Sequence, residues 1–115
     1  MRSIEETSVI SPNDREILRR VKEIIRSFLP SATVLLYGSV ARGTQGPESD
    51  YDILVLADEL LTAADKDKIR RAILDLELSC GAVLTTMFAS HQEWDSPFIS
   101  VSPFHKEVER DGVIV

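Results

Sequence analysis

The sequence predicts a small α/β or α+β domain in which helices pack on a sheet. Three observations carry this. Segments of helical period alternate with short apolar runs of strand formers, their order is helix, strand, strand, helix, strand, helix, and Ser-Pro, Gly and Pro signals separate them. A chain of 115 residues suits one domain, residues 1–115, and its hydrophobic fraction of 43% is that of a globular fold.

The first helix is expected within residues 11–30, with Ser11 as N-cap, Pro12 at the first helical position, Asp14 in the first turn and Pro30 as stop. Ile17, Leu18, Val21, Ile24, Ile25 and Phe28 fall on one stripe, the face that covers the sheet. Residues 32–37, "ATVLLY", and 51–57, "YDILVLA", read as two buried strands, with a single helical turn from about Ser39 and a Gly, Pro and Ser-rich loop between them. Thr62 and Asp65 open a second long helix that carries Ile69, Ile73 and Leu76 to a stop at Gly81. A third strand is expected over residues 82–89, followed by a short helix under a Ser90–Glu93 capping box, a Ser102-Pro103 helix ending at Gly112, and a short edge strand in the final "VIV".

Thirteen Lys and Arg against nineteen Asp and Glu give a net charge of -6, which works against binding long nucleic acid through its phosphates. The single cysteine, Cys80, excludes an internal disulfide and a multi-cysteine zinc site. The charged start and the lack of a long apolar run lead to the expectation of a soluble, cytoplasmic protein. His91 and His105 show no zinc spacing. Trp94, Phe98 and Phe104 have two readings, cover for the sheet or an apolar surface for a partner.

The chemistry-bearing stretch is "YGSVARGTQGPESDYDILV", residues 37–55. Gly38 and Gly43 match the outer frame of a phosphate-binding G-x-x-x-x-G loop, but Thr44 and Gln45 stand where that loop needs Lys and Ser or Thr, so that motif is rejected. A strand-to-helix turn can still bind phosphate through backbone N–H groups, with Gly38 allowing close approach and Ser39 adding a hydroxyl. The same two residues also suit an ordinary turn and N-cap. Asp50 and Asp52, two apart, would lie on one face of a strand about 6.6 Å apart, with Tyr51, Ile53 and Val55 on the other. Paired carboxylates of this kind suit a hard cation such as Mg²⁺ shared with phosphate oxygens, and Asp is also common at strand starts.

Taken together, "LLYGSVARGTQGPESDYDILV" resembles the nucleotidyltransferase superfamily that includes DNA polymerase beta, in particular its minimal nucleotidyltransferase members. The pattern is an apolar strand, Gly-Ser, a spacer, then Asp-x-Asp. The resemblance implies a nucleotidyltransferase-like fold, a small mixed sheet flanked by helices. It further implies that Gly38, Ser39, Arg42 and Ser49 bind a nucleotide, expected to be ATP, and that Asp50 and Asp52 are catalytic and hold Mg²⁺. The implied reaction moves a nucleoside monophosphate from an NTP to an acceptor hydroxyl, with pyrophosphate leaving. Family members usually carry a third carboxylate on a later strand; the segment at 82–89 has none and offers only Thr85 or Thr86, with Asp75, Glu77, Glu93 and Asp95 elsewhere as substitutes. An alternative implied by the same resemblance is a weakened nucleotide-binding module that serves as the antitoxin-like partner of a small helical HEPN-type protein.

Overall fold

The computed structural model describes residues 1–44 and 50–115. Its elements run β1 (Arg2–Ser3), a 3₁₀ turn (Ile4–Glu6), α1 (Pro12–Phe28), β2 (Thr33–Tyr37), α2 (Gly38–Arg42), β3 (Tyr51–Ala57), α3 (Ala63–Cys80), β4 (Leu84–Ser90), α4 (His91–Trp94), α5 (Pro97–Ser100), α6 (Pro103–Asp111) and β5 (Val113–Ile114). Among the described residues the strands form one mixed sheet in the order β1-β5-β2-β3-β4. β2 is antiparallel to both β3 and β5, while β3 and β4 are parallel, joined through α3.

The helix starts follow from their caps. The side chains of Ser11, Thr62, Ser90, Ser96 and Ser102 each accept from the backbone N–H three residues on, which satisfies a donor that the first turn cannot. Thr62 with Asp65 and Ser90 with Glu93 complete reciprocal capping boxes.

The central strands β2 and β3 are largely apolar on both sides because helices cover both faces of the sheet. On one face Val34, Leu36, Tyr51, Ile53, Val55 and Leu84 pack with Ile17, Leu18, Val21 and Ile25 of α1 and Ile69, Ile73 and Leu76 of α3. On the other, Leu35, Tyr37, Leu54 and Leu56 pack with Trp94 and Val108, and with the partly buried Phe104, Ile99 and Ala89. Phe104 meets both Tyr37 and Trp94 edge-on, at centroid distances of 5.3 and 5.8 Å.

Several sequence expectations are corrected in detail. Phe28 closes the apolar stripe of α1 yet is exposed, at the last position of the helix. The third strand begins two residues later than expected, at Leu84, whose N–H is taken by the Glu77 carboxylate at 2.9 Å. β5 is an interior strand, since Arg2 and Ser3 pair along its outer side. Of the three aromatics with two readings, Trp94 and Phe104 pack on the sheet and Phe98 projects from α5.

Candidate functional site

The site is built where β2 passes into α2 and β3 begins. β2 ends at Tyr37, and the backbone turns at once into α2 through Gly38, which has φ +77°. That left-handed conformation disfavours any residue with a Cβ. The space disfavours one too: a Cβ on Gly38 would run into the Asp52 carboxylate, 3.3 Å from its Cγ. The glycine and the aspartate therefore share one small cradle, with the backbone of the turn lying directly against the carboxylate.

Asp52 is placed there by strand register. It pairs with Tyr37 on β2 and with Thr85 on β4, so the three side chains share the face that carries α6. Its neighbour Tyr51 points the opposite way into the α1 and α3 core, and the Tyr51 hydroxyl donates to Asp14 in the first turn of α1. This pins the start of β3, and with it the orientation of Asp52. Asp50 precedes the strand and is exposed.

Burial pushes the Asp52 carboxyl above the ordinary value of 3.8, and the negative charges of Asp50 and Glu107 push it further, against a smaller opposing pull from Arg42. Tyr37 is shifted upward by burial and by the negative charges of Asp52 and Glu107, and its hydroxyl donates to the Met87 sulfur at 3.4 Å.

Ser39 follows Gly38 in α2, and its carbonyl accepts from the Thr44 N–H at 3.0 Å, which closes the short helix. Arg42 ends the same helix and reaches α6, with Nη1 3.6 Å from both Glu107 Oε1 and Asp111 Oδ2. Ser49, the remaining sequence-predicted site residue, lies outside the described residues.

Glu107 and Asp111 were missed by sequence reasoning. They lie in the final helix, far along the chain from the motif, and only their spacing of four residues on one face of α6 could have suggested a joint role. The suggested substitutes for a third carboxylate have other positions. Glu77 holds the Leu84 N–H, Glu93 caps α4 beyond the opposite end of β4, and Thr85 is the β4 residue level with Asp52. Among the described residues, no three His, Cys, Asp or Glu side chains gather closely enough to hold a metal ion by themselves.

A model of the nucleotidyltransferase domain matches residues 18–107. The chain belongs to that family. Two proteins of Methanocaldococcus jannaschii named putative protein adenylyltransferases are similar to it, one 41% identical over 56 residues and the other 47% identical over 45. These matches cover 47% and 39% of this chain, and 57% and 45% of the relatives, so the chain aligns with about half the length of each. Among solved structures, a toxin–antitoxin structure with AMP-PNP superposes with a TM-score of 0.59 at 21% identity, covering 84% of this chain and 69% of that one. A mutant of the toxin–antitoxin MntA-HpeT also gives 0.59, at 19% identity, over 85% of this chain and 70% of that one. At such identities the shared property is the nucleotidyltransferase fold, the class the sequence predicts.

Proposed function

We propose that the protein transfers AMP from ATP to a hydroxyl group of a partner protein in a Mg²⁺-dependent reaction. The observation that carries this reading is the Gly38–Asp52 cradle, in which a turn that only glycine accommodates lies against a partly buried carboxylate. The choice of AMP and of a protein acceptor is supported by the names of the two archaeal relatives and by the AMP-PNP in the solved toxin–antitoxin structure.

In this reading the backbone of Gly38 and Ser39, with the Ser39 hydroxyl, holds the triphosphate at the start of α2, with Ser49 as a further nucleotide contact. Arg42, oriented by Glu107 and Asp111, places a cation beside the phosphates. The donor set fits Mg²⁺, which is commonly bound by one or two carboxylates together with substrate phosphates; Asp50 and Asp52 supply hard oxygen ligands beside the turn. Bound there, Mg²⁺ would neutralise charge on the phosphates and activate the attacking oxygen. The acceptor oxygen forms a new bond to the α-phosphorus, the bond to the bridging oxygen breaks in line, pyrophosphate departs, and the hydroxyl proton passes to solvent.

A second reading rests on Thr85. Level with Asp52 stands a hydroxyl rather than a carboxylate, which weakens any cation site. The protein would then hold nucleotide and restrain a partner, a small helical HEPN-type protein, as an antitoxin does. The solved neighbours, toxin–antitoxin structures, support this line.

Incubation of the purified protein with Mg²⁺, α-labelled ATP and co-expressed neighbouring gene products tests both. Labelled partner, lost with Asp52→Asn, is the result expected of the transferase. A stable complex that never acquires label favours the second reading, and equal labelling by the Asn variant overturns the first.

A further inference from the structure

The two edges of the sheet differ sharply. β1 is two residues long and carries Arg2, both ordinary devices that keep an edge from pairing with another chain. β4 is seven residues long, "LTTMFAS", with no charge and no proline, in a chain where 28% of residues are charged. Among the described residues no strand pairs with its outer side.

The surface beside that edge is apolar. Val83 is 53% exposed and Met87 45%, and Leu74 and Leu78 of α3 are 50% and 77% exposed. Those leucines share a stripe with Arg70 and Glu77, at the i, i+4, i+7, i+8 spacing of one helix face. Contacts fix that stripe on the β4 side of the helix: the Arg70 guanidinium lies 5.1 Å from the Phe88 ring centroid, and Glu77 accepts from the Leu84 N–H. Arg70 stands at one end of β4 and Glu77 at the other, so α3 runs antiparallel to the strand with Leu74 level with its middle.

We propose that β4 and α3 form a homodimer interface. A two-fold axis normal to the sheet, passing near Thr86 and Leu74, would pair β4 antiparallel with its copy and join the two sheets into one. The same axis would set the two α3 helices antiparallel, with Leu74 against its mate and Leu78 of each copy level with Arg70 of the other. It also opposes Arg70 of each copy to Glu77 of the other, so the stripe is complementary to itself, as an isologous contact requires. A second copy is the occupant this pattern selects, because an unrelated partner has no need of a cation and a carboxylate balanced about a central leucine. The proposal is independent of the transfer reaction, since none of these residues lies in the Gly38–Asp52 cradle.

Light scattering across a concentration series, on the intact protein and on a Leu74→Glu, Leu78→Glu double variant, tests it. The intact protein is expected to show the dimer mass and the variant the monomer mass, with unchanged circular dichroism because both leucines are exposed. Hydrogen exchange supplies a second readout: protection of amides in residues 84–90 should rise with protein concentration. A parent that stays monomeric throughout, a variant that dimerises equally well, or exchange over β4 that is indifferent to concentration would each overturn the interface. The first outcome would leave the edge to a different protein.

Discussion

Along β3, alternate residues serve two different faces. Tyr51, Ile53 and Val55 enter the largely apolar core beneath α1 and α3, where the Tyr51 hydroxyl is bonded to Asp14. On the other face Leu54 and Leu56 are covered by the α4–α6 segment, but the first position of that row is Asp52, with Tyr37 and Thr85 beside it and Glu107 above. One face is covered by the long helices α1 and α3, the other by the shorter helices α4 to α6, of which α6 brings the Glu107 carboxylate toward the start of β3. The strand thereby holds a carboxylate in a partly buried place by anchoring the residues on either side of it. Stability and the site are built from the same seven residues, and substitutions should separate them.

Ile53→Ala should have the largest effect on the closed face. Removing a fully buried side chain leaves a cavity, and a loss of about 2–5 kcal/mol is expected by denaturant titration. Next is Gly38→Ala, compared with Gly81→Ala. Both glycines have positive φ, +77° and +72°, but a Cβ on Gly81 meets nothing within 4 Å, whereas one on Gly38 meets Asp52. Gly81→Ala should cost about 1–2 kcal/mol from backbone strain alone. Gly38→Ala should cost more in the same titration and should also weaken nucleotide binding; equal costs would mean that the cradle imposes no steric demand.

Asp52→Asn should move stability the other way. The folded protein raises the pKa of this carboxyl, so its ionised form is disfavoured by folding, and the penalty is full at neutral pH. As pH falls through the raised pKa the carboxyl is protonated and the penalty disappears. Thermal melts should therefore show the Asn variant modestly more stable at pH 7, with the gap closing in acid.

Much of the open face was legible in the sequence because it depends on local rules. Gly38 next to Ser39 after an apolar run, and Asp50 and Asp52 at the head of another, are consequences of turn and strand periodicity. The caps at Ser11, Thr62, Ser90 and Ser102 were legible for the same reason. What escaped was set by tertiary contact. The β1 strand is two residues with no periodicity to detect, and it exists because β5 offers it an edge. α5 is a single turn after Ser96-Pro97. The carboxylates that orient Arg42 come from α6, which reaches α2 only because Phe104 and Val108 seat that helix on the sheet.

Glu107→Gln sharpens the comparison at its small end. It removes one exposed ion pair with Arg42 and one negative charge near Asp52. Stability should change by less than about 0.5 kcal/mol, while the Asp52 carboxyl, followed by NMR titration, should move toward its ordinary range.

The central claim, that Gly38 and Asp52 form one nucleotide and metal cradle, is tested most directly by calorimetric titration of ATP with and without Mg²⁺ into the parent protein and Asp52→Asn. The parent should bind, and bind more tightly with Mg²⁺, and the Asn variant should lose that gain while remaining folded. A parent that binds no ATP, or a variant whose binding responds to Mg²⁺ as the parent's does, would contradict it.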